Sequence, residues 1–124
     1  MKTSEVASVL HGNSDWKIFC AKYENEKNRL LSRKDGAVTS GDIGLQFDSD
    51  QVTIRSKQIE RLCYNVLESE IDLNDAQFVA SVIALCGFEF DNENTEDAVL
   101  FISSLNTSCS KNISEVLQLI KTPR

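Results

Sequence analysis

Residues Leu62 to Ser110, LCYNVLESEIDLNDAQFVASVIALCGFEFDNENTEDAVLFISSLNTSCS, carry nine carboxylates and no lysine or arginine. Leu62, Cys63, Val66, Leu67 and Ile71 continue an apolar stripe that starts at Ile59, at the spacing of one helix face. From Ala76 to Gly87 there is no charge, and the apolar residues cover more than half of a helical circumference. That pattern predicts a central helix over about 74–86, surrounded by others. The acids gather at its two ends. Glu68, Glu70, Asp72 and Asp75 precede it, and Glu89, Asp91, Glu93, Glu96 and Asp97 follow it. The stretch therefore predicts both the centre of the fold and two separate acidic corners.

Working outward, Asn74 and Gln77 read as a capping-box pair, and Gly87 as a helix stop. Asn94 or Thr95 is expected to cap a helix whose apolar face is Ala98, Val99, Phe101, Ile102 and Leu105. Asn112 and Glu115 open a last helix with Ile113, Val116, Leu117 and Ile120 on one side. Toward the N-terminus, Ser14 is expected to cap one long helix, with Trp16, Phe19, Cys20, Tyr23, Leu30 and Leu31 in its stripe and a gap at Lys27. Thr3 to Leu10 forms a short helix capped by Thr3 or Ser4 and ended by His11-Gly12-Asn13. Ile43, Leu45 and Phe47 alternate with polar or small residues, as do Val52 and Ile54. The tripeptide Asp48-Ser49-Asp50 lies between them, so the pattern allows a short β-hairpin at about 43–55. The expected architecture is a mainly α, single domain over 1–124 with five to six helices.

A chain of 124 residues, 41% of them hydrophobic, can bury a core without disulfides or metal. The net charge of −6 comes wholly from the half after Glu60, since the first half balances. Such a surface repels nucleic acid and anionic membrane and suits a basic protein partner. Neither a signal peptide nor a run of about 20 apolar residues is visible, which predicts a cytoplasmic protein. Cys20, Cys63, Cys86 and Cys109 lack the short spacings of zinc or redox sites and read as buried, reduced thiols.

No nucleotide-binding, nucleophile-elbow or metal-ligand motif is present, and His11 is the only histidine. Neither Asp48-Ser49-Asp50 nor the run Asp91 to Asp97 has the glycine a calcium loop needs at its sixth position, and helix capping accounts for their oxygens. No enzyme, cofactor or metal is expected.

The runs Leu67-Glu68-Ser69-Glu70-Ile71-Asp72-Leu73-Asn74-Asp75 and Phe88-Glu89-Phe90-Asp91-Asn92-Glu93-Asn94, in a small, acidic, single-domain chain, resemble the immunity proteins of bacterial polymorphic-toxin and contact-dependent growth-inhibition systems. The resemblance implies a cytosolic protein that binds a cognate toxin domain, often a basic nuclease, and blocks its active site or substrate surface. The expected function is therefore a non-enzymatic inhibitor of a basic protein. The alternative is a helical adaptor or regulatory subunit that docks another protein without inhibiting it. The expected partner-binding residues are Glu68, Glu70, Asp72, Asp75, Phe88, Glu89, Phe90, Asp91, Glu93, Glu96 and Asp97, with the 89–97 corner as the favoured contact. Replacing Glu89, Asp91 and Glu93 together by lysine is expected to weaken binding and leave the fold intact.

Overall fold

An uncharged helix is stable only where neighbours cover it on every side, and the chain is built to do this for one helix. The structure, a computed structural model, describes residues 1–12, 15–31, 44–48, 52–104 and 112–121. Among them are seven helices: α1 (Thr3–Leu10), α2 (Trp16–Lys22), α3 (Glu24–Leu31), α4 (Ser56–Leu67), α5 (Leu73–Leu85), α6 (Glu93–Ser103) and α7 (Ile113–Lys121). Two short strands, β1 (Thr53–Ile54) and β2 (Glu89–Phe90), form a parallel pair. The mainly helical fold is as the sequence predicts.

Helix α5 is the centre. Ala76, Phe78, Val79, Ala80, Val82 and Ile83 are completely buried. Helix α6 packs along it on one side, α2 and α3 on another, and α4 also touches it. Burying each large apolar side chain of this set contributes about 1.5–3 kcal/mol. Phe78 meets Phe19 of α2 with ring centroids 6.1 Å apart, and Phe19 continues to Trp16 (5.6 Å, edge to face) and Tyr23 (5.1 Å). Helix α7 closes the far side against α4 and α6.

The single long helix expected after Ser14 is two helices. The chain turns at Tyr23 (φ −111°, ψ 36°), between α2 and α3. The gap at Lys27 in the apolar stripe has a physical meaning. Lys27 Nζ donates to Asp75 Oδ1 at 2.8 Å, with both side chains more than four-fifths covered. That hydrogen bond holds the Lys27 ammonium above its usual pKa, against the opposing effect of burial. A lysine that looked like a break in the stripe is a pinned charge.

The hairpin at 43–55 is corrected for the described parts of both arms. Gln46 bridges in parallel to Lys2, with Gln46 N donating to Met1 O at 2.8 Å and Thr3 N to Gln46 O at 2.9 Å. Thr53 and Ile54 pair instead with Glu89 and Phe90. The period-two pattern marked extended backbone correctly but not its partners. A parallel pair needs a long crossover, and here α4 and α5 supply it between β1 and β2. Of the expected turn Asp48-Ser49-Asp50, Ser49 and Asp50 lie outside the described residues, as do Ser14, Ile43, Leu105 and Cys109.

Helix starts fall a residue or two earlier than the expected caps. Asp72, not Asn74, caps α5 by accepting from Asp75 N at 2.8 Å. Asn92, ahead of Asn94 and Thr95, caps α6 by accepting from Thr95 N at 3.0 Å. Asp48 accepts from Ser4 N and from the Ser4 and Thr3 hydroxyls at the start of α1. The Ser4 backbone bond first, then its hydroxyl, hold that carboxyl below its usual value. At α7 the expected Asn112–Glu115 pairing is present, with Glu115 N donating to Asn112 Oδ1 at 2.9 Å.

Cys20, Cys63 and Cys86 are free, buried thiols on or beside α2, α4 and α5. Burial pushes each up to about 12, helped at Cys20 by the Asp75 charge and at Cys63 by Glu60. Among the described residues no helix is long and apolar enough to cross a membrane.

Candidate functional site

The two acidic corners lie at opposite ends of α5, about 20 Å apart for a helix of that length. They use their carboxylates differently. At the 89–97 corner, much of the acid belongs to the fold. Asp91 Oδ2 accepts from Ser56 N at 3.0 Å, satisfying a free donor at the start of α4, while Oδ1 accepts from the Thr95 hydroxyl at 2.6 Å. Asp91 N also donates to Ile54 O at 2.9 Å, beside the β1–β2 pair. One aspartate thus ties the entry of α4 to the entry of α6. Glu93 and Glu96 sit in the first turn of α6, where a helix's positive end favours them. Phe88 is buried at 9% exposure and Phe90 is partly buried against the core. Glu89 and Glu96 are exposed, with no hydrogen bond or ion pair at their carboxylates among the described residues. The expectation that Asp91 can be replaced without cost to the fold is corrected by these bonds.

The 68–75 corner is built otherwise. Helix α4 ends in a Schellman stop: Glu70 N donates to Asn65 O at 2.8 Å and Ser69 N to Val66 O at 3.1 Å. Such a stop requires one left-handed residue, usually glycine. Here it is Ser69, at φ 62°. A side chain in that conformation costs about 1 kcal/mol. Glu68 and Glu70 flank it at the negative end of α4, whose last turn has no basic residue. Each carboxylate so placed costs a few tenths of a kcal/mol, and neither has a hydrogen bond or ion pair among the described residues. Asp72 and Asp75 are occupied, as cap and as the partner of Lys27.

Two surface grooves meet at Glu70. The larger, about 740 Å³, is lined by the whole connection from Ser69 to Asp75, with Val66 of α4 and Lys17 of α2. Leu67 and Leu73 are each 48% exposed on either side of the corner, large apolar side chains left at the surface. The smaller groove, about 460 Å³, is lined by Gly12, Asp15, Trp16, Arg61, Asn65, Glu68 and Glu70. Arg61 donates to Val9 O at 2.7 Å, placing a positive charge at the C-terminal end of α1, and its guanidinium passes close over Gly12. Trp16 is 2% exposed, and its indole N–H is buried without a hydrogen-bond partner. Leaving such a donor unmet costs about 1–3 kcal/mol.

The structure thus brings Glu70, Asp72 and Asp75 together around the larger groove, sets Glu68 with Glu70 in the smaller one, and holds Glu89, Asp91, Glu93, Glu96 and Asp97 in a second place. Trp16, Arg61, Ser69 and Leu73 were missed by sequence reasoning. The serine in the stop and the unmet indole leave no trace in composition or periodicity. The exposed Leu73 breaks the polar run Asp72-Leu73-Asn74, a signal that was available. Among the described residues, no cluster of three histidine, cysteine or acidic side chains is arranged to hold a metal ion.

Comparison with protein-family models, with curated proteins and with solved structures finds no match for this chain.

Proposed function

We propose that this protein is a non-enzymatic binding protein that neutralises a basic protein partner through the 68–75 corner. Its most concrete form is a cytoplasmic immunity protein that inhibits a cognate bacterial toxin, such as a nuclease. One observation carries the reading. The corner holds three features that work against the stability of the fold: a serine in a left-handed conformation, two carboxylates at the wrong end of a helix, and half-exposed leucines around an open groove. Departures of this kind collect where function requires them. Carboxylates sharing a groove with the half-exposed Leu73 suit a basic partner with an apolar anchor, which gives both fast encounter and a dry centre to the contact. The resemblance to immunity proteins supplies the toxin as the concrete partner, and a surface that otherwise binds phosphate is the natural match for these acids.

The test is protection. The chain is co-expressed with the toxin domain that the immunity reading expects to be encoded beside it, and both survival and affinity are measured. Glu68→Lys with Glu70→Lys should abolish protection and weaken binding by about 2 kcal/mol or more at low salt, with the melting temperature held or slightly raised. Glu89→Lys with Glu96→Lys should change little. Loss from the Glu89 and Glu96 pair alone would move the contact to the 89–97 corner, and equal loss from both pairs would mean that overall charge, not the 68–75 corner, carries the binding. Tight binding without inhibition would make the protein a docking adaptor.

A further inference from the structure

We propose that the groove between α1 and α2 is a self-association surface, on which a second copy of this chain docks about a two-fold axis. Its walls are Ser4, Glu5 and Val9 of α1 and Ile18, Phe19 and Lys22 of α2, around about 410 Å³. None of its lining residues belongs to the two grooves that meet at Glu70, so the inference stands apart from the proposed function. Val9 and Phe19 are buried, whereas Ile18 stands 66% exposed. Phe47, 63% exposed, lies one residue from the rim, because Asp48 accepts from Ser4 N at 3.0 Å and from the Ser4 hydroxyl at 2.8 Å. Among the described residues these are the two most exposed large apolar side chains. Single exposed apolar residues are ordinary. Two beside one groove, over an apolar floor, mark a contact surface.

Charge selects the occupant. The charged side chains lining the groove, Glu5 and Lys22, are paired with each other at 2.8 Å. Tyr23 fixes the pair by donating its hydroxyl to Glu5 at 2.6 Å, and the Lys22 ammonium lies 5.2 Å from the Tyr23 ring centre. This rim has no net charge, so it favours neither a basic nor an acidic partner. It does favour a copy of itself. A two-fold axis sets a surface against the same surface. It places the ion pair antiparallel to its copy, so that each Glu5 faces the other molecule's Lys22 and the four charges alternate in sign. The rest of the chain agrees. Residues 1–60 carry nine basic and nine acidic side chains, and the whole net charge of −6 lies after Glu60. Two such molecules repel each other least when their balanced halves meet. One groove makes a small interface, so the expected association is reversible and in the micromolar range.

The test is sedimentation equilibrium of the full chain from about 5 to 500 µM at physiological salt. The apparent mass should rise with concentration from one chain toward two. Ile18→Glu brings like charges together near the axis and should weaken association about tenfold or more. Leu100→Glu, at a 49% exposed site on α6, should leave association unchanged. Glu5→Lys and Lys22→Glu should each weaken it, and an equimolar mixture of the two variants should regain it as a mixed dimer, since opposite charges again meet across the axis. Circular dichroism checks that each variant is folded. A chain that stays monomeric across the range overturns the inference. A dimer that survives Ile18→Glu, or that Leu100→Glu weakens equally, places the contact elsewhere and overturns it as well. A mixture of folded variants that does not associate overturns the two-fold pairing of Glu5 with Lys22.

Discussion

Helices α4 and α5 both end on a residue in the left-handed region, but only α5 ends on glycine. Gly87 (φ 70°) closes α5 at the 89–97 corner, and Ser69 (φ 62°) closes α4 at the 68–75 corner. The same contrast runs through the charges. Around Gly87, Asp91 meets a backbone donor and a hydroxyl, Glu93 and Glu96 meet the positive end of α6, and Glu89 stands exposed. Around Ser69, the Glu68 and Glu70 carboxylates sit at the negative end of α4 with no hydrogen bond or ion pair among the described residues. One corner is optimised for folding and the other tolerates cost. In a chain whose net stability is about 5–15 kcal/mol, a tolerated cost of even one or two points to a use outside the fold.

The widest test of this contrast is the ion pair that underlies the tolerant corner. Lys27→Ala leaves Asp75 mostly buried without its cation and should destabilise the protein by about 2–3 kcal/mol in urea unfolding. A loss under about 0.5 kcal/mol would mean that water replaces the lysine and that Asp75 is as free as Glu68. Next comes Asp91→Ala, which removes an acceptor from Ser56 N and from Thr95. A loss of about 1–2 kcal/mol is expected. An unchanged melting curve would remove the claim that the 89–97 acids serve the fold. The smallest and sharpest comparison exchanges the two helix stops. Gly87→Ala should cost about 1 kcal/mol, and Ser69→Gly should add about 0.5–1 kcal/mol. The opposite signs are the point. If Ser69→Gly also destabilises, the serine is held by something the backbone geometry does not show, and the strain argument fails.

Much of the fold was legible because burial imposes periodicity. The uncharged run after Asp75 announced the central helix, and the stripes of α4, α6 and α7 announced their inner faces. What periodicity does not encode is the partner. The alternation at Leu45–Phe47 and Val52–Ile54 showed extended chain, yet a two-residue parallel pairing with Glu89 and Phe90 depends on where two intervening helices deliver the chain. The break at Tyr23 was hidden for a similar reason, since the apolar stripe continues across it and the turn is set by how α2 and α3 each pack on α5. At the candidate site, acids could be counted but not sorted. Asp91 and Glu70 look alike in sequence. Among the described residues, one accepts two hydrogen bonds and the other accepts none at its carboxylate, and that difference is three-dimensional.

The buried thiols of Cys20, Cys63 and Cys86 have a consequence for measurement. At neutral pH a thiol held near 12 has about a thousandth of the thiolate of an ordinary cysteine, and thiolate is the species that alkylating reagents attack. Burial also keeps a reagent from the sulfur, so labelling of each residue is expected to track local opening around it. The three sit on or beside α2, α4 and α5, so their separate labelling rates, read by mass spectrometry, amount to three internal clocks for local opening. An occupied groove between α2 and α4 would slow the clocks at Cys20 and Cys63 and leave the one at Cys86 running at its old rate.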